Sequence, residues 1–518
     1  MAKCVKVWIG SFVLAAMLCG TVRADWTWEL PPDRYKKLDQ FERVQYDKAA
    51  SLAKNANFKA AKSEFEKFTT QFDASDITPY MVFMRGFMMA CYKERYGAIK
   101  CYQEVLDVFP DSIDAPVALY HMGMAHLENG DTFKGLQCMK TLVEDPRYQK
   151  HVLAAGALRR LADNHWKNKQ FDQAVGYWRQ VVRDFTGINN EEVANAQRNL
   201  AINAILFKNY QAYEEGLITD KNKEDANYRK SLMQITWDVA WAIYTNPNFE
   251  RPKKVTDKEL AEERLAYYNY MKSTKPWFEK ANDLFGYYDR TLQMAAHFLN
   301  DPKEREAVVT EAIEFVKKGK DKATADNQYT RLIDILRQSR NPDRARYVAA
   351  LMSDRTAASW KSYEITCDEG KWPEAVKQLE DLETSAPDQT WRARALSERA
   401  RLFKDVLNQQ EKAIALYTQM NNPPWNLWQI QDSYNRWGKK DKAIATLTEI
   451  SSMFPDDAPR ALWQKVVYYT ELNDIKKASG QAARLLKMYP KAPETANAHL
   501  WGNEHHIDLG GGDIHMDD

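Results

Sequence analysis

The residues of this 518-residue chain that could do chemistry gather at its C-terminal end, as His505, His506, Asp508, Asp513, His515, Asp517 and Asp518. Imidazole and carboxylate together can hold a divalent cation. Here they flank Gly510-Gly511-Gly512, and ligands on a glycine-linked segment are not fixed for a metal, so the stretch reads as a solvated tail with no metal site. His121 and His126 do not share a helical face closely and read as ordinary surface or packing residues. Asp and Glu are abundant, but they alternate with Lys and Arg as helix-face charges, so no pair stands out as general acid and base. No Gly-rich phosphate loop, GxSxG elbow or HExxH occurs, and nothing in the sequence calls for a cofactor. The expectation is a protein without catalytic residues.

The elements that carry these residues are read from one unit. In Gly370-Lys371-Trp372-Pro373-Glu374-Ala375, running on to Leu379, Leu382 and Pro387, the positions Ala375, Leu379 and Leu382 fall on one face of a helix. Pro387 ends that helix, and the small Ala375 lets a second helix approach closely. The pattern recurs around Ala61, Ala98, Gly135, Ala174, Ala345, Ala413, Ala443 and Ala478. The first four are spaced 37, 37 and 39 residues apart, and 345, 375, 413, 443 and 478 are spaced 30, 38, 30 and 35 apart. These values scatter about a period of roughly 34.

On these residues the chain resembles a tetratricopeptide repeat (TPR) protein, over about residues 40–185 and 340–490. The resemblance implies an all-α solenoid of helical hairpins, wound as a right-handed superhelix with a divergent helical central segment. It also implies that partners bind in a concave groove lined by the first helix of each hairpin. Several first helices carry an apolar residue followed by an aromatic, as in Val82-Phe83, Leu119-Tyr120, Leu427-Trp428 and Leu462-Trp463, with Ser359-Trp360 in another copy. If the first of each pair packs inside its hairpin, the second is rotated by about 100° and faces the groove. Phe83, Tyr120, Trp360, Trp428 and Trp463 are therefore the expected partner-binding stripe, offering anchors for a peptide or flat faces for a sugar. The competing reading is that these rings fill space between repeats.

Taken in order, residues 1–24 read as a signal peptide: Lys3 and Lys6 are basic, Val7 to Leu18 is mostly apolar, and Val22-Arg23-Ala24 suits cleavage after Ala24. The apolar run is shorter than the ~20 residues of a membrane span, and no later segment is long and apolar enough to be one. Residues 25–39 read as an extended lead, 40–189 as an N-terminal TPR array, 190–340 as a divergent helical segment, 341–490 as a C-terminal array, 491–509 as a capping helix and 510–518 as a disordered tail. Four cysteines follow the signal: Cys91, Cys101, Cys138 and Cys367. They read as buried free thiols: Cys101 and Cys138 fall at equivalent positions of adjacent repeats, roughly 8–10 Å apart and too far for a disulfide, and Cys91 and Cys101 stand out of line on the two helices of one hairpin.

The 73 basic and 72 acidic side chains nearly cancel, which gives no reason to expect a nucleic-acid partner. The expected function is a non-catalytic scaffold of the bacterial periplasm or cell envelope that holds a protein partner and uses no cofactor, with envelope assembly components as the class of partner that similar proteins serve. The rival is an exported all-helical protein that binds or acts on carbohydrate through an aromatic-lined cleft, a glycan then being the ligand.

Overall fold

The computed structural model describes residues 30–299 and 301–509. The expected signal peptide, the first residues of the lead and the tail with Asp513, His515, Asp517 and Asp518 lie outside them. The chain divides into two compact units, Met1–Met294 and Ala295–Asp518. Among the described residues each is built of helices, without strands.

In the first unit, hairpin one pairs Gln40–Lys54 with Phe58–Gln71, hairpin two Thr78–Cys91 with Arg95–Val108, hairpin three Ala115–Glu128 with Thr132–Glu144, and hairpin four Val152–Lys167 with Phe171–Phe185. The lead, expected to be extended, turns helical at Pro32–Tyr35. Pro32 presets the helical φ and Asp33 favours the first turn, while Arg34 clamps buried Asp114 through two hydrogen bonds of 2.9 Å. Beyond hairpin four, Asn190–Phe207 and Tyr210–Leu217 make another hairpin, followed by Ala226–Thr245 and Asp257–Ser273. The aromatics of this region are core: Tyr210 stacks on Tyr270 with centroids 4.6 Å apart, and Tyr267 and Phe278 are buried.

In the second unit, hairpin five pairs Lys322–Gln338 with Pro342–Leu351, six Arg355–Asp368 with Trp372–Ser385, seven Gln389–Arg401 with Gln410–Met420, eight Trp425–Arg436 with Lys440–Met453, and nine Ala458–Glu471 with Ile475–Met488. Glu494–Glu504 then covers hairpin nine: Ala498 and Trp501 join Leu462, Val466, Ala478, Ala482 and Leu485 in one cluster. The small residues Ala61, Ala98, Ala174, Ala345, Ala375, Ala413, Ala443 and Ala478 are all sealed from solvent, at the crossing of the two helices of their hairpins.

One backbone device sets every hairpin. A residue with positive φ stands five positions before the small residue: Ala56, Lys93, Gly130, Lys169, Arg340, Gly370, Asn408, Gly438 and Asn473. At hairpin two, the N–H of Lys93 donates to the Ala90 carbonyl (3.0 Å) and that of Glu94 to the Met89 carbonyl (2.9 Å), the paired closure that ends a helix through a left-handed residue. The same pair of bonds recurs at Ala56, Gly130, Lys169, Arg340, Gly370, Gly438 and Asn473. Only three of the nine are glycine, so the others carry a side chain where it is strained.

Lys93→Gly is expected to raise the urea midpoint, equivalent to about 0.5–1 kcal/mol, and Gly370→Ala to lower it by about 1 kcal/mol. Equal midpoints for both variants and the parent chain would contradict a left-handed closure at these turns.

Candidate partner-binding surface

Three of the five aromatics expected to line a groove are core residues. Phe83 has no exposed surface, Tyr120 is 6 % exposed and Trp360 8 %. The expectation is corrected for these three, and the reason lies in the stacking of hairpins. A first helix is covered by its own second helix and by the first helix of the next hairpin, so the direction about 100° round from the inner stripe is also closed. Phe83 meets Tyr102 of its own second helix (centroids 5.6 Å apart) and His121 of the next hairpin (5.3 Å). Trp360 packs on Trp391 of the next first helix at 5.7 Å and donates its indole N–H to Glu364 (3.0 Å), with the Arg394 guanidinium 3.9 Å above its ring centroid.

Trp428 and Trp463 are half-buried. Trp428 donates its Nε1–H to Asp457 (2.8 Å), carries Arg460 over its ring at 4.4 Å and rests on the cluster of Ala443, Leu447 and Ile450. Trp463 packs against the cluster under the final helix. Both rings join repeats while leaving part of their surface in water.

His121 is enclosed by rings. Phe83, Phe87, Tyr120 and Tyr102 have centroids 5.3, 5.3, 5.7 and 6.2 Å from it. Burial pushes the imidazole down to about 4, so it stays neutral at pH 7. The thiols are free; burial pushes Cys91 and Cys138 up to about 11, which keeps them protonated and inert. Glu398, which accepts from Tyr363 Oη at 2.7 Å, is disfavoured as an anion by burial, yet Arg401 and Tyr363 hold its carboxyl below the usual range.

An open surface lies elsewhere in the second unit. A cleft of about 600 Å³ is floored by one face of Gln389–Arg401, through Gln389, Arg392, Ala393, Leu396 and Ser397. Glu383, Gln419, Met420, Asn422 and Trp425 complete its lining. Asn421, at φ 44°, ends the preceding helix and turns the chain towards Trp425. Trp425 rests edge-on against Tyr417, with centroids 5.8 Å apart, and is still 42 % exposed. The cleft's charges are partly spent: Arg392 Nε donates to the Ala386 carbonyl (2.8 Å) and Glu383 meets Arg399 at 3.0 Å. Sequence reasoning passed over Trp425 because the Leu427-Trp428 pair drew the assignment. Its signal was an indole placed directly after Pro423-Pro424, at the opening of a helix where the core stripe has not begun.

This geometry decides the fold: a left-handed closure, then a sealed small residue, repeated hairpin after hairpin. The chain folds as repeated helical hairpins in both units. No family model and no curated protein matches its sequence. Among solved structures, the chain is similar to the crystal structure of the APC/C hetero-tetramer Cut9–Hcn1. The identity is 15 %, over 91 % of this chain and 84 % of that one, with a TM-score of 0.28. It is also similar to yeast Tom70, at 12 % identity over 88 % of this chain and 100 % of that one, with a TM-score of 0.26. Among the described residues no group of three or more His, Cys, Asp or Glu is placed to hold a metal ion, and no helix is long and apolar enough to cross a membrane. His505 is instead engaged in packing, stacked on Trp501 at 4.5 Å.

The His121 site sets a pH dependence. Its folded value lies below the ordinary 6.5, so as pH falls the unfolded chain takes the proton first. The contribution is complete above about 6.5 and is lost towards 4. The replacement His121→Phe is expected to flatten the fall in stability over that window by on the order of 1–3 kcal/mol, read as urea midpoints at stepped pH. Identical slopes for variant and parent would refute the enclosure.

Proposed function

We propose that the chain is a non-catalytic scaffold of the bacterial periplasm or cell envelope, and that it grips an extended segment of a protein partner in the cleft of hairpins six to eight. The observation that carries this is the exposed indole of Trp425 on the wall of a cleft of about 600 Å³. Clefts of roughly 300–1,000 Å³ enclose small groups, and a partly exposed Trp beside convergent polar groups is the usual make-up of an energetic anchor. Gln389, Arg392, Gln419 and Asn422 supply donors and acceptors for a peptide backbone around it. Trp428 and Trp463, with part of each ring in water, are secondary contacts in this proposal. Export rests on Lys3, Lys6, the apolar run from Val7 to Leu18 and the Val22-Arg23-Ala24 cleavage pattern.

The test uses residues 25–518 as bait in a crosslinking capture from the native envelope, beside Trp425→Ala and Arg392→Ala. Each variant is expected to lose about tenfold or more in recovery of a specific protein, with helical circular dichroism unchanged. Undiminished recovery by both variants would overturn the cleft assignment. Trp425-dependent retention of envelope polysaccharide, with no protein recovered, would replace the protein partner by a glycan.

A further inference from the structure

Hairpins one and two share a polar position that the apolar pattern hides. Thirteen residues before the small residue of hairpin one, in its first helix, stands Lys48; three and six residues after it, in the second helix, stand Glu64 and Lys67. Glu64 is 7 % exposed and answers both cations, with Lys48 Nζ 3.0 Å from Oε2 and Lys67 Nζ 2.8 Å from Oε1. Gln45 donates to the same carboxylate at 3.0 Å. Lys67 and Gln45 hold its carboxyl down at about 2. Hairpin two repeats the logic with other residues. Arg85 occupies the position of Lys48, and Glu104, at the position of Lys67, pairs with it. Arg85 Nε also donates to Cys101 Sγ at 3.2 Å, from the position of Glu64.

Hairpin nine keeps the cations and lacks the anion. Counted from Ala478, the same three positions hold Lys465, Gln481 and Arg484. Lys465 is only 4 % exposed, yet among the described residues it has no ion-pair or hydrogen-bond partner. Arg484 is exposed and likewise has none. The Oε1 of Gln481 is buried without a donor, and turning its amide over would present N–H groups instead. Burial of most of the Lys465 side chain, together with the like charge of Arg484, pushes its ammonium down to about 8, and among the described residues no carboxylate stands by to offset this.

We infer that Lys465, Gln481 and Arg484 form a carboxylate-binding site, in which an acidic group from outside the hairpin supplies the charge that Glu64 supplies in hairpin one. Hairpin one shows the fit: one carboxylate spans a cation on the first helix and a cation on the second. The site is distinct from the Trp425 cleft and does not rest on the reading given to it. The carboxylate has two available sources, an acidic segment of a partner protein or Asp517 and Asp518 of this chain.

The experiment uses the full mature chain and the probe N-acetyl-Asp-Asp, with binding measured by calorimetry at fixed ionic strength. Saturable binding is expected, and both Lys465→Met and Gln481→Glu should weaken it at least tenfold. The first removes a cation; the second supplies the missing carboxylate from within, and should also raise the melting temperature of the unliganded protein. Binding by the triple variant Asp513→Asn, Asp517→Asn, Asp518→Asn where the parent chain shows none would support the site and name the tail as its occupant. Binding by the parent chain that this triple variant leaves unchanged would support it with an external partner. Binding that Lys465→Met and Gln481→Glu leave intact would overturn the inference. So would no binding by either the parent or the triple variant.

Discussion

The structure depends on one closure, a residue forced into left-handed backbone followed five positions later by a side chain no larger than a methyl group. The first turns the chain back on itself with two backbone hydrogen bonds; the second lets the returning helix lie close. Neither suffices alone. A hairpin so formed still shows an apolar flank, and it is the next hairpin or the final helix Glu494–Glu504 that covers it. The fold is therefore a chain of nearest-neighbour contacts, and its stability grows with each covered flank.

That dependence on neighbours determines which side chains are free to act. Phe83, Tyr120 and Trp360 are drawn into the seams between hairpins, where rings of large area stabilise the stack. His121 is carried into the same seam. Polar groups within a hairpin must find partners there, as Lys48 and Arg85 do with Glu64 and Glu104. What remains for recognition lies where the seams end, at the helix termini that frame Trp425, or where a seam's charges are left unmatched.

Much of the hairpin core was legible because it depends on volume at a helical period, which the sequence displays directly at Ala375, Leu379 and Leu382. The turns were less so: Ala56, Lys93 and Lys169 adopt positive φ without the glycine that would announce it. The hairpin from Asn190 to Leu217 was hidden because buried Tyr213 stands where other copies have a small residue. The candidate site was barely legible. Whether an aromatic beside the core stripe faces water depends on what the neighbouring hairpin places over it, and that is not a property of the helix bearing it. Trp360 is closed off by Trp391, some thirty residues on, whereas Trp425 meets Tyr417 along one edge and stays 42 % exposed.

The most direct test of this division between seam and surface is hydroxyl-radical footprinting of the intact mature chain, read residue by residue. The account predicts fast oxidation at Trp425, Tyr96 and Phe133, and slow oxidation at Phe83, Tyr120 and Trp360. Labelling of Phe83 and Trp360 as rapid as that of Trp425 would contradict it, and would return those rings to an open groove.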